Sequence, residues 1–311
     1  MAIIPIAHAI RVRHSRKHHP SHFMKIQRFP AARLTLIVAS ACALHAPVAR
    51  AAQCALIPAN VATLEGTERA ELLSEMKFAE LEKELTKQHK ANMAAEGTDL
   101  LTLRDLLSVQ QLSGNQENQV RMWAAERPQS FFAQLNAGIF YANRAFGARG
   151  TGTAASVSSS QSRNMKQLSD VATGYAQKAM ALDARSALPQ NILLALAAAT
   201  GQADGRTAEQ WLQAAEQVDP KTMAARISAV NYLSPRWGGS WEQLDHMVAQ
   251  ANKALPASSA HYLHYNVVLA KASHFEVIEK DKAKAAGLYQ QARGMCDNSE
   301  AARSGIVRTY P

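Results

Sequence analysis

The chain has 311 residues, 47% of them hydrophobic and only 6% aromatic, with 34 Lys and Arg against 25 Asp and Glu for a formal charge of +9. Residues 1–51 hold Arg11, Arg13, Arg16, Lys17, Lys25, Arg28, Arg33 and Arg50 and no acidic residue, so from Ala52 onward 26 basic residues face 25 acidic ones. Charge confined to the first sixth of the chain leaves no basic domain to bind nucleic acid, and the lack of β-branched runs or strand-like alternation excludes a sheet-rich fold.

The leader explains the charge. Lys25, Arg28 and Arg33 form a positive n-region, Leu34 to Leu44 an apolar h-region, and Ala49, Arg50, Ala51 a small-x-small cleavage site, the pattern of a secretory signal peptide beginning at Met24. Its apolar stretch falls well short of the ~20 residues that span a bilayer as a helix, so no permanent membrane span is expected. Residues 1–23 read as a misassigned or disordered extension. Ala39, Ser40 and Ala41 before Cys42 leave open a lipid anchor on that cysteine. The expected location is periplasmic or secreted after cleavage near Ala51. Beyond the leader only Cys54 and Cys296 remain, which in an oxidising compartment make one disulfide or two unpaired thiols near the ends of the chain.

Residues 52–65 read as a linker, 66–275 as a helical-repeat domain and 276–311 as a C-terminal helix and tail. Thr67 opens an amphipathic segment with Leu72, Met76, Leu81 and Leu85, and Thr98 with Asp99 caps another with Leu103, Leu106 and Leu107. Gln119 to Arg127 predicts a short helix with Trp123, broken by Pro128. Ser130 starts an apolar helix through Phe131, Phe132, Leu135, Ile139, Phe140 and Phe146, ended by Arg149 and Gly150. Thr151 to Ser160 reads as a loop.

The C-terminal half is organised by a repeat. Tyr175–Ala184 (YAQKAMALDA), Trp211–Pro220 (WLQAAEQVDP) and Met247–Pro256 (MVAQANKALP) each begin 36 residues after the last, with Ala179, Ala215 and Ala251 in one register. Lys284 to Ala292 reads as a fourth, irregular unit or cap. The spacing resembles the second helix of tetratricopeptide repeats, which implies an all-α fold of stacked antiparallel helix pairs, a tetratricopeptide-like α-solenoid. Between the first and second helices of the third pair stands Pro235, Arg236, Trp237, Gly238, Gly239, Ser240, Trp241, Glu242. Pro235 stops a helix, the glycines allow uncommon backbone angles, and Ser240 with Gln243 reads as a capping box.

Trp123 with Pro128 and Ser130, the run Arg144 to Gly150, and Leu233 to Ser240 (LSPRWGGS) together resemble the bacterial family called domain of unknown function 4034, over about residues 75–258. That resemblance supports the fold and implies no established activity.

Three constellations bear on function. His261 and His264 share a helical face near His246 and His274, a weak pattern for a metal that also fits an aromatic face with Tyr262 and Tyr265. Ser240 with Glu242, Asp245 and His246 offers the residue types of a hydrolase, although Ser240 is equally a helix cap. Arg149 and Arg236 near Trp237 and Trp241 offer stacked guanidinium groups for a carboxylate or phosphate of a partner. The residues together favour a non-enzymatic, cofactor-free envelope module binding a protein or peptide, with an envelope hydrolase or metal-dependent enzyme as the alternative.

Overall fold

The computed structural model describes residues 66–94, 99–110, 116–150, 156–297 and 299–309. The signal peptide, Cys42, Cys54 and Thr98 lie outside the described residues.

Those residues form thirteen α-helices and no strand, with one isolated bridge between Ala203 and Arg206. The segment opened by Thr67 divides into α1 (Gly66–Ser74) and α2 (Phe78–Ala94), because the chain turns at Met76 with φ 56° and leaves that side chain exposed. Next come α3 (Asp99–Ser108), α4 (Gln116–Glu126) and α5 (Phe131–Arg149). Ser130 caps α5 by accepting from Ala133 N at 3.2 Å, and Gly150, at φ 79°, ends it by donating to Phe146 O and Gly147 O.

The stacked pairs are α5 with α6 (Ser159–Leu182), α7 (Leu188–Thr200) with α8 (Ala208–Val218), α9 (Met223–Tyr232) with α10 (Trp241–Ala254), and α11 (Ala257–His274) with α12 (Lys282–Met295); α13 (Glu300–Thr309) completes the described residues. The 36-residue register is visible in the backbone itself. Ala179, Ala215 and Ala251 are fully buried, and their carbonyls accept from the closing N–H groups of Asp183, Asp219 and Leu255 at 3.1, 2.9 and 2.8 Å. A methyl group at each position lets the neighbouring helix approach, and the same carbonyl ends each helix in the same way. Gly138 on α5 serves a close contact with α6 and α7: a Cβ there would stand 3.1 Å from Ile192 and 3.6 Å from Ala172 O.

Each second helix carries its own start signal. Ser158 with Gln161, Thr207 with Gln210 and Ser240 with Gln243 form three complete capping boxes, and Asp281 caps α12. Ser158 thus ends the loop expected to run to Ser160, and α6 begins at Ser159.

One feature departs from nearest-neighbour stacking. Helix α3 lies against both α5 and α9, burying Leu100, Leu101, Leu103 and Leu106. Asp99, expected to serve its own helix, caps a distant one: its carboxylate accepts from Met223 N (2.8 Å), Ala224 N (3.2 Å) and Thr222 Oγ1 (2.5 Å). At the other end of α3, Asn136 Nδ2 of α5 donates to Leu106 O and Gln110 Nε2 donates to Asn136 O. The row of first helices therefore already holds a helix of the same chain.

Candidate functional site

Arg149 sits at the C-terminus of α5, where two devices hold its backbone. Gly150 takes the positive φ that closes the helix, and Gln161, the third residue of the α6 capping box, donates its side-chain N–H to Arg149 O at 3.1 Å. One glutamine thus completes the start of α6 and ties it to the end of α5.

The Arg149 guanidinium stacks over the Trp237 ring, 4.9 Å from its centroid, and donates weakly to Gly150 O at 3.5 Å. Trp237 is in turn fixed by Phe146 of α5 (6.1 Å, edge-on) and Tyr232 of α9 (5.7 Å). Burial alone pushes the Tyr232 hydroxyl well above the ordinary tyrosine range.

The loop presenting Trp237 is folded back on α9. Pro235–Trp237 forms one 3₁₀ turn, and the N–H groups of Trp237 and Gly239 both donate to Ser234 O, at 2.9 and 3.2 Å. Gly238 adopts the left-handed region at φ 89°. A Cβ on Gly239 would lie 1.9 Å from Leu233 O, so no other residue fits there without moving the loop.

Arg149 also lines a cleft of about 800 Å³. One wall is a face of α6 from Ser162 through Lys166, Ser169 and Thr173 to Gln177, a length of about 22 Å at 1.5 Å per residue. The other is the end of α7, Leu196 to Thr200, with the turn Gln202 to Gly205. That turn is rigidly mounted: Trp211 Nε1 donates to Ala203 O at 2.8 Å, and Arg206 stacks on the Trp211 ring at 4.7 Å. Both ends of the site therefore rest on an arginine–tryptophan stack. Lys166 is engaged by Asp170 at 3.0 and 3.1 Å, an exposed pair of little energetic weight.

The other residues singled out from sequence stand elsewhere. Arg236 is exposed and has no hydrogen bond, ion pair or ring contact among the described residues; the guanidinium on Trp237 comes from Arg149, 88 positions earlier in the chain, a pairing that no local pattern reveals. Trp241 packs edge-on to His274 (5.2 Å) and under Lys271, which pairs with Asp245 at 2.7 Å. His261 Nε2 lies 3.0 Å from Met295 O and His264 is exposed, and among the described residues no three His, Cys, Asp or Glu side chains gather as metal ligands. Ser240 accepts from Gln243 N at 3.2 Å, and the Glu242 carboxyl is held below its usual range by its own backbone N–H and by Ser240. His246 points to Gln250. Cys296 is buried at the end of α12. None of the helices in the described residues is long and apolar enough to cross a membrane. The cleft itself escaped the sequence reading, as did the capping boxes Ser158-x-x-Gln161 and Thr207-x-x-Gln210 that flank it.

The model of a family described as a domain of unknown function (DUF4034) matches residues 67–205 and 188–254. No curated protein and no solved structure matches the chain.

Proposed function

The chain belongs to the DUF4034 family, whose model covers more than half of its length, and from that premise we propose that it is an exported helical-repeat module holding a segment of a partner protein or peptide in the cleft between α6 and α7. The observation that carries this reading is Arg149, fixed on Trp237 at one end of a rigid, polar groove. A planar guanidinium is the side chain best matched to a carboxylate, and stacking on an indole fixes its plane. The usual contact surface of a helical array is its concave inner face; here α3 lies on α5 and α9 of the row of first helices, which favours the cleft between α6 and α7 in this reading.

Export is part of the same proposal. The basic n-region, the short apolar stretch and Ala49-Arg50-Ala51 support cleavage before Ala52, and a disulfide between Cys54 and Cys296 is expected from the compartment and the cysteine count. Mass spectrometry of the purified protein tests both: a start at Ala52 with two thiol hydrogens missing supports them, and a lipid on Cys42 or two free thiols contradicts them.

The binding reading is tested by quantitative affinity capture from the native envelope with three baits. The wild type is expected to enrich a partner that Arg149→Ala and the cleft-blocking Thr173→Arg both lose while keeping their helical content. Equal enrichment by all three baits overturns the assignment of the cleft.

A further inference from the structure

The turn between α7 and α8 carries a chemistry of its own. Asp204 is the one aspartate in the chain that is followed by glycine. Asp204 and Gly205 both take positive φ, 47° and 71°, and Ala203 and Arg206 exchange both backbone hydrogen bonds across them, at 3.0 and 3.1 Å. Two left-handed residues closed by such a pair form a type I′ turn. Both tip residues are exposed, and among the described residues neither the Asp204 carboxyl nor the Gly205 N–H has a hydrogen-bond partner. The Gly205 nitrogen is unshielded as well, since nothing stands within 4 Å of the place a Cβ would take.

The ends of this turn are fixed and its middle is not. Trp211 Nε1 holds Ala203 O at 2.8 Å and the Trp211 ring holds Arg206. Turning over the single peptide plane between Asp204 and Gly205 nevertheless converts type I′ into type II′, the other two-residue hairpin turn, with both ends in place. In type II′ the first central residue has ψ of about −120°, the angle at which the next backbone nitrogen eclipses the Cα–Cβ bond and meets the side-chain carboxyl carbon of an aspartate. Gly205 admits either sign of φ that the flip requires. We propose that Asp204–Gly205 is a self-modifying site. Gly205 N bonds to Asp204 Cγ, the N–H proton and the carboxyl hydroxyl leave together as one water, and a five-membered succinimide results, favoured because both reacting atoms are held in one turn. The ring then takes up water at either carbonyl. Opening at Cγ restores aspartate; opening at the main-chain carbonyl gives isoaspartate, whose backbone runs through Cβ and Cγ and is longer by one methylene. No oxidation or reduction is involved, and water is the only co-reactant. The added methylene takes Ala203 and Arg206 out of register, and with them the hydrogen bond from Trp211 that mounts the turn.

The test is to age the folded protein for weeks at neutral pH, digest it with trypsin under mildly acidic conditions and separate the fragments by liquid chromatography with mass detection. The fragment from Ser186 to Arg206 should yield a form one water lighter, followed by a form of unchanged mass and shifted retention that accepts a methyl group from a purified isoaspartyl methyltransferase. Asp204→Glu, which keeps the charge but would have to close a six-membered ring, should yield neither. The folded protein should react at a rate within severalfold of the same chain held unfolded in urea, because the flip leaves both ends of the turn in place. A folded protein that reacts more than an order of magnitude slower than the unfolded chain would show the turn protecting the bond, and would overturn the inference. Modification of other aspartates as fast as Asp204 would overturn it too. The aged, modified fraction should melt at a lower temperature than aged Asp204→Glu; equal melting temperatures would contradict the loss of register at Trp211.

Discussion

Replacing Asp99 tests how the N-terminal helices are joined to the repeat array. Its carboxylate is fully buried and accepts three hydrogen bonds, two from the backbone of the α9 N-terminus and one from Thr222 Oγ1. Asp99→Ala leaves the N–H groups of Met223 and Ala224 without acceptors. At about 1–3 kcal/mol for each orphaned donor, less the relief of no longer burying a charge, the expected loss is about 3 kcal/mol. Asp99→Asn keeps an acceptor oxygen of the same shape and should cost about 1 kcal/mol at pH 7. Desolvation raises the Asp99 pKa above its ordinary 3.8, against the opposing pull of Thr222 and the two N–H groups. A carboxyl with a raised folded pKa binds its proton more tightly when folded, so this contribution is fully present below 3.8 and is lost as pH rises through the folded value. The wild type should therefore gain on Asp99→Asn as the pH falls from 7 towards 4. Urea unfolding followed by far-UV circular dichroism, repeated across that range, provides the comparison. A loss under about 0.5 kcal/mol for Asp99→Ala would refute the idea that this carboxylate latches α3 to α9.

Other consequences can be measured on the same preparation. Gly239→Ala should lower stability by more than about 2 kcal/mol, because a Cβ placed 1.9 Å from Leu233 O forces the loop to rebuild; an unchanged thermal midpoint would contradict the loop geometry. Trp237→Leu should cost about 2 kcal/mol through its contacts with Phe146 and Tyr232, and should quench ligand binding as strongly as Arg149→Ala; retained binding would separate the stack from the site. Glu276 is held below its ordinary 4.5 first by Arg308, at 2.8 and 3.0 Å, and then by Tyr289. Stability from that pairing is present above 4.5 and is lost as pH falls through the lowered value, so the gap between wild type and Arg308→Gln, under about 1 kcal/mol at this exposed site, should close in acid; a gap that widens would reverse the assignment. Cys296→Ser should lower the thermal midpoint only under oxidising conditions, by an amount matching about 4–5 kcal/mol for so long a loop. An equal effect in reductant would argue for packing alone.

What was legible in the sequence was local. Ser130 and Gly150 marked both ends of α5 because capping and helix termination depend on a few adjacent residues, and the alanines at 179, 215 and 251 disclosed the stacking because close approach needs a small side chain at a fixed period. The glycines at 238 and 239 were both read as allowing uncommon backbone angles; Gly238 does so at φ 89°, whereas Gly239 is needed for the close approach of Leu233 O, which only the structure shows. Contacts across the chain were not legible. Asp99 carries the signature of an N-cap, and nothing nearby says that it serves α9 rather than its own helix. Arg236 was adjacent to Trp237 in sequence, yet a 3₁₀ turn leaves it exposed while Arg149 arrives from α5. The cleft is made by the spacing between α6 and α7 and by the turn pinned on Trp211, neither of which has a periodic trace.

The most direct measurement is site-specific photo-cross-linking in the native envelope, with a photoreactive amino acid placed at Thr173 inside the cleft and, as a control, at the exposed Val171 on the same helix. If the cleft holds a partner segment through Arg149, position 173 yields a discrete adduct that is absent from position 171 and disappears when Arg149→Ala is added. Equal adducts from both positions, or an adduct from position 173 that survives Arg149→Ala, would contradict that role.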